Sequence, residues 1–273
     1  MKLSRSPIRN ASPARSGPAS WATSGPSLPS TVASRANITN GSASLNRSAT
    51  NLKVGGLVRL PTCDWPGQLA ATVFCQGCAW NCPYCHNPGL RPAQADVPIS
   101  WSSILDFLSS RRGLLDAVVF SGGEPTLQPT ILNAIEDARN LGFRVGLHTA
   151  GMVPERFAQL LPSLDWAGFD VKAPFYAYSR ITGVERSGTD ALASLRLLLE
   201  SGIPYEVRTT VHPSLLTMED MLELRDLLVS LGVTRYAIQR FRSQGMRPEL
   251  LPSAPEFFLP DTFGGGFLHF DMR

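Results

Sequence analysis

The sequence predicts an α/β protein, an open, partial (β/α)6 TIM-like barrel of parallel strands preceded by an N-terminal tail. Three observations lead there. Short β-branched, apolar runs alternate with amphipathic helical patterns from about residue 71 to residue 241. Each run is followed by glycine or polar residues, which places chemistry at the C-terminal ends of the strands, where parallel α/β sheets bind their ligands. The strand–helix units number six, too few for a closed eight-fold barrel. An open doubly wound sheet is the alternative.

The elements follow in order. "ATVFC" (71–75) has the content of a buried strand and leads into a cysteine-rich loop. "SWSSILDFLSSRR" (100–112) opens on a Ser that suits an N-cap and places Ile104, Leu105 and Leu108 on one helical face. "DAVVFSGGEP" (116–125) is a strand stopped by two glycines, and "PTILNAIEDARNLG" (129–142) an amphipathic helix ended by Gly142. "FRVGLHTAG" (143–151) is the third strand, "PERFAQLLPSL" (154–164) a helix broken near Pro162, and "DWAGFDVKAP" (165–174) the fourth strand, with a loop to about 188. "TDALASLRLLLESG" (189–202), "PYEVRTTVHP" (204–213), "TMEDMLELRDLLVSLG" (217–232) and "RYAIQRF" (235–241) complete the alternation. Beyond Phe241, Pro and Gly are too frequent for another long helix or strand, although "FLHF" (267–270) suits a short edge strand.

Residues 1–51 read differently from residues 52–273. The first fifty contain Lys2, Arg5, Arg9, Arg15, Arg35 and Arg47 and no acidic residue, and they are rich in Ser, Pro, Gly and Asn. Such a segment buries too little apolar area to offset the entropy of ordering, so a disordered tail is expected; Ser/Arg-rich, acid-free ends also occur in organelle transit peptides. The net charge of +3 belongs to this tail, because the remainder holds 19 basic against 22 acidic residues. That balance offers no clustered basic face for nucleic acid. No apolar run reaches the length of a membrane span.

Four of the five cysteines fall in "CQGCAWNCPYC" (75–85), and none follows Cys85. Thiols this close rarely all pair as disulfides without strain, so ligation of a metal or cluster is the natural reading, and free thiols imply a reducing compartment. Cys78, Cys82 and Cys85 form C-x3-C-x2-C with Tyr84 before the last. Three thiolates on a short loop can hold three corners of a [4Fe–4S] cluster. A structural zinc site that adds Cys75 as fourth ligand is the competing reading. Cys75 otherwise suits a small buried strand residue, and Cys63 has no partner at a ligand spacing.

This pattern at the end of a first barrel strand resembles the radical S-adenosylmethionine superfamily. The surrounding "DWPGQLAATVFCQGCAWNCPYCHNP", with "FSGGEPTLQP", "DVKAP" and "YSRITG", is similar to its activating-protein branch, in particular activators of anaerobic ribonucleoside-triphosphate reductase, over about residues 57–242. The resemblance implies one [4Fe–4S] cluster on Cys78, Cys82 and Cys85, with S-adenosylmethionine on the remaining iron. It implies reductive cleavage of that cofactor to a 5′-deoxyadenosyl radical, which abstracts hydrogen from a glycine of a glycyl-radical enzyme. It further implies a low-potential electron donor of flavodoxin or ferredoxin type, and a cytoplasmic protein.

Cofactor contacts are expected from Tyr84, from Gly122, Gly123 and Glu124 at the end of the second strand, and from Thr149, Asp170 and Lys172. Arg208 is expected to meet the methionyl carboxylate and His212 to line the same mouth. Related activators of pyruvate formate-lyase carry an Asp-Thr-Asn-Gly-like segment where this chain has His148–Thr149–Ala150–Gly151, which puts a shared cation site near Asp170 in doubt. The absence of cysteine after Cys85 tells against auxiliary clusters. A radical enzyme acting on a small metabolite and a zinc-binding adaptor are the alternatives to an activase.

Overall fold

The computed structural model of the protein describes residues 51–61, 64–242, 251 and 259–273. The expected tail up to residue 50, Cys63 and most of the Pro-rich stretch after Phe241 lie outside these residues.

One eight-stranded sheet organises the described residues, and its strands are neighbours in strict chain order. Strands β2 (Ala70–Cys75), β3 (Ala117–Gly122), β4 (Arg144–Thr149), β5 (Trp166–Asp170), β6 (Tyr205–Val211) and β7 (Arg235–Arg240) are the six expected from sequence, and each runs parallel to the next. Strand β8 (His269–Met272) extends the parallel set beside β7, close to the edge strand expected at "FLHF". Strand β1 (Val54–Val58) was not expected, and it pairs antiparallel with β2. The sheet is therefore mostly parallel and open, since β1 and β8 each have a single neighbour.

The strand order also decides between the two expected architectures. A doubly wound sheet reverses its strand order at a switch point, whereas here the order never reverses. Right-handed crossovers of one sense then put all the helices on one face of the sheet and leave the other face concave.

The helices are α1 (Trp101–Ser109), α2 (Ile131–Asn140), α3 (Pro154–Leu160), α4 (Tyr178–Thr182), α5 (Ser187–Ser201) and α6 (Met218–Ser230). Ser100 caps α1 by accepting from the Ser103 N–H at 3.2 Å, and Thr217 and Asp220 form a reciprocal capping box on α6. Past Leu160 the chain tightens into a 3-10 turn at Leu161–Ser163, where Pro162 ends the helix. The five-residue α4 lies inside the segment read from sequence as a loop.

Strand side chains alternate between the two faces. Val73, Cys75, Val118, Phe120, Leu147, Phe169 and Val207 point toward the helices and join the main core. Ala70, Ala117, Val119 and Trp166 face the concave side and, with Trp65, make a second, smaller core at the N-terminal ends of the strands. The Trp65 and Trp166 rings stack at 5.4 Å. Gly146 is what lets Trp65 enter, because a Cβ there would lie 2.8 Å from its indole ring. Among the described residues no helix is long and apolar enough to cross a membrane.

Candidate functional site

Above the tryptophan floor the concave side opens into a cleft at the C-terminal strand ends. Its wall includes Cys78, Cys82, Tyr84 and Cys85 from the loop after β2, and Ser121–Glu124 after β3. His148–Ala150, Asp170 and Lys172, Thr210 and Gln239 complete it from β4 to β7. Six successive parallel strands, β2 to β7, thus deliver residues to one place from their C-terminal ends, as this class of sheet does.

The cysteine loop is closed at its neck. The Gly77 and Cys78 N–H groups donate to the Leu90 and Arg91 carbonyls at 2.7 and 3.0 Å. The buried Gln76 side chain donates from Nε2 to the carbonyls of Gly89 and Pro92 at 3.0 and 2.8 Å. Gln128 in turn donates to the Gln76 carbonyl at 2.5 Å. The tip of the loop rests on α4: the Asn81 N–H donates to the Thr182 carbonyl at 2.8 Å, and Trp80 meets Tyr178 edge-on at 5.9 Å.

The glycines after β3 have a packing reason as well. The Gly123 and Glu124 N–H groups donate to the Cys75 and Gly77 carbonyls, each at 2.9 Å. A Cβ on Gly123 would collide with the Gly77 carbonyl, and one on Gly122 with the Cys75 backbone. Gly122 also holds φ at +114°, open to glycine at little cost. The rim of the cleft is thus two backbone segments in direct contact.

Glu124 is buried and ties that rim to β4. Its Oε1 accepts from Thr126 N at 3.0 Å, Thr126 Oγ1 at 2.7 Å and Thr149 Oγ1 at 2.7 Å; its Oε2 accepts from Ala150 N at 3.0 Å. Burial raises its carboxyl despite these donors.

A charge cluster lies lower in the cleft. Arg208 Nε and Nη2 both reach Asp170 Oδ1 at 2.9 Å, and Lys172 Nζ reaches Oδ2 at 3.3 Å. Burial alone would raise the Asp170 carboxyl, but Arg208 and then Lys172 outweigh it and hold it well below the usual range. Burial would likewise lower Lys172, yet Asp170 keeps it firmly protonated. The ammonium lies 5.9 Å over the Tyr84 ring.

His148 joins this cluster to the floor. Its Nε2 lies 2.6 Å from the Asp64 carbonyl and its Nδ1 lies 3.2 Å from Ser121 Oγ. The partners select the tautomer in which Nε2–H donates to the carbonyl and Nδ1 accepts from the hydroxyl. A nitrogen that donates there cannot also accept, so the 3.2 Å approach of Arg208 Nη1 is packing. Burial, then the Arg208 charge, lowers the imidazole from 6.5 to about 4.

Of the residues singled out from sequence, Cys78, Cys82, Cys85, Tyr84, Gly122, Gly123, Glu124, Thr149, Asp170 and Lys172 meet on one cleft. Arg208 and His212 are not on its wall. The Arg208 guanidinium turns to Asp170, and His212 meets Phe241 edge-on with ring centroids 4.6 Å apart while its Nδ1 accepts from Ser214 Oγ at 2.7 Å. Gln76, Gln128, Trp65 and Tyr178 carry much of the construction and were not foreseen. Each lies in a stretch quoted for the resemblance, "DWPGQLAATVFCQGCAWNCPYCHNP", "FSGGEPTLQP" or "YSRITG", without having been singled out.

The residues present fit a cluster better than a single ion. Three free thiols share the cleft, while Cys75 is fully buried on the helix-facing side. Among the described residues no three His, Cys, Asp or Glu side chains converge closely enough to hold one metal ion. A four-cysteine zinc site would need Cys75 turned through the sheet. Burial pushes the Cys78 thiol up to about 12 and raises Cys82, so ligation there releases protons. Tyr84 adds a buried hydroxyl with no partner among the described residues.

Comparison with known proteins agrees with this geometry. The profile of the Radical SAM superfamily matches residues 72–228, more than half of the chain. A protein of Methanocaldococcus jannaschii, provisionally named as a glycyl-radical enzyme activating enzyme, is 30% identical over 211 residues, covering 74% of this chain and 85% of that one. The pyruvate formate-lyase-activating enzyme of Streptococcus mutans is 29% identical over 213 residues, or 71% of this chain and 80% of the other. The PqqA peptide cyclase of Gluconobacter oxydans is 31% identical over 189 residues, 64% of this chain, and the chain spans only 51% of that enzyme's length. Among solved structures, Streptococcus suis SuiB bound to S-adenosylmethionine superimposes with a TM-score of 0.50 at 14% identity, over 61% of this chain and 39% of that one, a likeness of fold. Because the matched span runs from β2 through the cysteine loop and the cleft-forming strand ends into α6, the chain belongs to the Radical SAM superfamily.

Proposed function

We propose that the protein is an activase that installs a glycyl radical on an anaerobic ribonucleoside-triphosphate reductase. Enzymes of this family bind a [4Fe–4S] cluster and S-adenosylmethionine. The observation that carries the activase reading is the similarity to the Methanocaldococcus jannaschii protein, which spans 85% of that protein's length. The reductase as partner rests on the stretch from Asp64 to Pro88 that surrounds the ligands. The free thiols support a reducing compartment such as the cytoplasm.

Cys78, Cys82 and Cys85 would hold the cluster. Bound there, a cluster would supply the one-electron chemistry for reductive cleavage of S-adenosylmethionine. The chain's own residues then bind and orient. Gly122 and Gly123 bring backbone to the cleft wall where no side chain intervenes, which suits an ammonium group. Glu124 and Thr149 keep that wall fixed through their mutual hydrogen bond. Lys172 has ammonium protons beyond the one directed at Asp170, and these suit a carboxylate. Arg208 acts through Asp170, and His212 acts through Phe241, which also stacks on His86 at 6.0 Å. Tyr84 offers its unpartnered hydroxyl to the same cofactor.

Transfer of deuterium tests the reading. With a reductase deuterated at its target glycine, label is expected in 5′-deoxyadenosine and a glycyl radical in the paramagnetic resonance spectrum. If label never transfers while a small molecule from cell extract drives stoichiometric cofactor cleavage, the enzyme acts on a metabolite instead.

A further inference from the structure

Cys78 stands in a wall between two cavities. One is the cleft already described. The other opens on the outer flank of the loop and is lined by Lys53, Gln76, Cys78, Arg91, Leu127 and Gln128 among others. A third cavity shares Asn51, Lys53 and Gln76 with it and continues to Ser100–Ser102. No Asp or Glu lines either flanking cavity among the described residues. Cations do: Lys53 and Arg91 lie on the wall, and Arg156 Nη1 donates to the Pro129 carbonyl at 3.1 Å on its rim. Buried Arg91 Nε and Thr130 Oγ1, both from lining residues, have no partner among the described residues. The cleft on the other side differs in that acids line it too: Glu124 and Asp170 share its wall with Lys172.

We infer that this basic flank is the docking surface for a small acidic one-electron carrier protein, with Cys78 the ligand nearest the incoming electron. The inference rests on the cleft holding the cluster. A partner glycine presented to the cleft has to exclude water there, which blocks the mouth. An electron delivered through the opposite side of the same wall needs no undocking of that partner. A flank with few cations suits a transient redox encounter, where charge sets the association rate more than the affinity. The step balances simply. A flavodoxin hydroquinone anion gives one electron to the cluster and becomes the neutral semiquinone, and no proton moves.

The test compares reductants on the reconstituted protein, with cluster bleaching and the paramagnetic resonance signal as readouts. Lys53→Glu and Leu127→Glu place acids on the flank without altering a cleft residue; Leu127 is 37% exposed. Reduction by flavodoxin hydroquinone and by reduced ferredoxin is expected to slow about tenfold in the double variant, with a weaker salt dependence. Reduction by dithionite should be unchanged, which also shows that the cluster and fold are intact. Arg196→Glu, on the exposed face of α5, serves as control. Equal protein-donor rates in wild type and double variant, an equal slowing by Arg196→Glu, or a wild type that dithionite reduces and neither carrier does, would each overturn the inference. Failure of the activase reading looks different, because the cluster would still be reduced while no glycine label moved.

Discussion

The two ends of the concave face are built by opposite means. At the rim, backbone meets backbone: the Gly122–Gly123 segment bonds to Cys75 and Gly77, and Gly77 and Cys78 bond across the neck to Leu90 and Arg91. At the floor the contacts are aromatic and apolar, with stacked Trp65 and Trp166 over Ala70, Ala117 and Val119. The rim holds thiols in place through directional bonds, and at Gly122 and Gly123 it has no room for an added Cβ. The floor resists collapse through area and dispersion, which are large but indifferent to exact position. Changes at the rim should therefore show in what the protein binds, and changes at the floor in how stable it is.

The largest expected effect lies at the rim. Cys78→Ala, Cys82→Ala or Cys85→Ala should each abolish the iron–sulfur absorption after anaerobic reconstitution, whereas Cys75→Ala should retain it. Cys75 is fully buried among the residues that face the helices, so its loss removes packing and no cleft thiol. Loss of the cluster in Cys75→Ala, with retention in one of the other three, would reverse the ligand assignment. Next in size is the floor. Trp166→Ala should lower unfolding free energy by about 3–5 kcal/mol, the usual range for deleting a buried large aromatic side chain. Trp166→Phe keeps part of the stack and should cost less. At temperatures where both remain folded, iron content should match wild type. A Trp166→Phe protein that is stable yet binds no cluster would dissolve the division between the two ends.

Much of this was legible in the chain because its signals are local. Strands β2 to β7 carry β-branched runs, and α1, α2, α5 and α6 carry apolar faces with caps or terminal glycines. The three cleft cysteines announce themselves by spacing. What was missed depends on distant partners. Strand β1 reads VGGLV, with two glycines that weaken any strand signal, and only pairing with β2 makes it extended. Helix α4 is five residues long, too short for a period to show, and it is held by the cysteine loop and by Arg180 bonding to Asp220 at 2.7 Å. Gln76 and Gln128 look like ordinary polar residues until the fold brings Gly89 and Lys53 to them. Arg208 was read for a ligand carboxylate, and the carboxylate it meets is Asp170 on the adjacent strand.

The smallest predicted effect concerns the joint between the two ends. His148 donates to the Asp64 carbonyl, next to floor residue Trp65, and accepts from Ser121 at the rim. The charged groups that face it are Arg208, Asp64 and Asp170. Burial, then Arg208, keeps its imidazole neutral down to about 4, while in the unfolded chain it protonates near its ordinary 6.5. Between those values the unfolded state binds more protons, so this contribution is complete above about pH 6.5 and is lost as pH falls toward 4. From pH 7 to 5.5 the loss should amount to about 1 kcal/mol, or about 2–4 °C in Tm for a domain of this size. His148→Gln has no proton to take up there, so its Tm should decline more gently than that of wild type. His86 and His212, also lowered by burial, remain in both proteins, and the difference between the two curves isolates His148. Parallel curves across that range would mean that His148 is charged in the folded protein, and that the joint is an ion pair instead of a neutral strut.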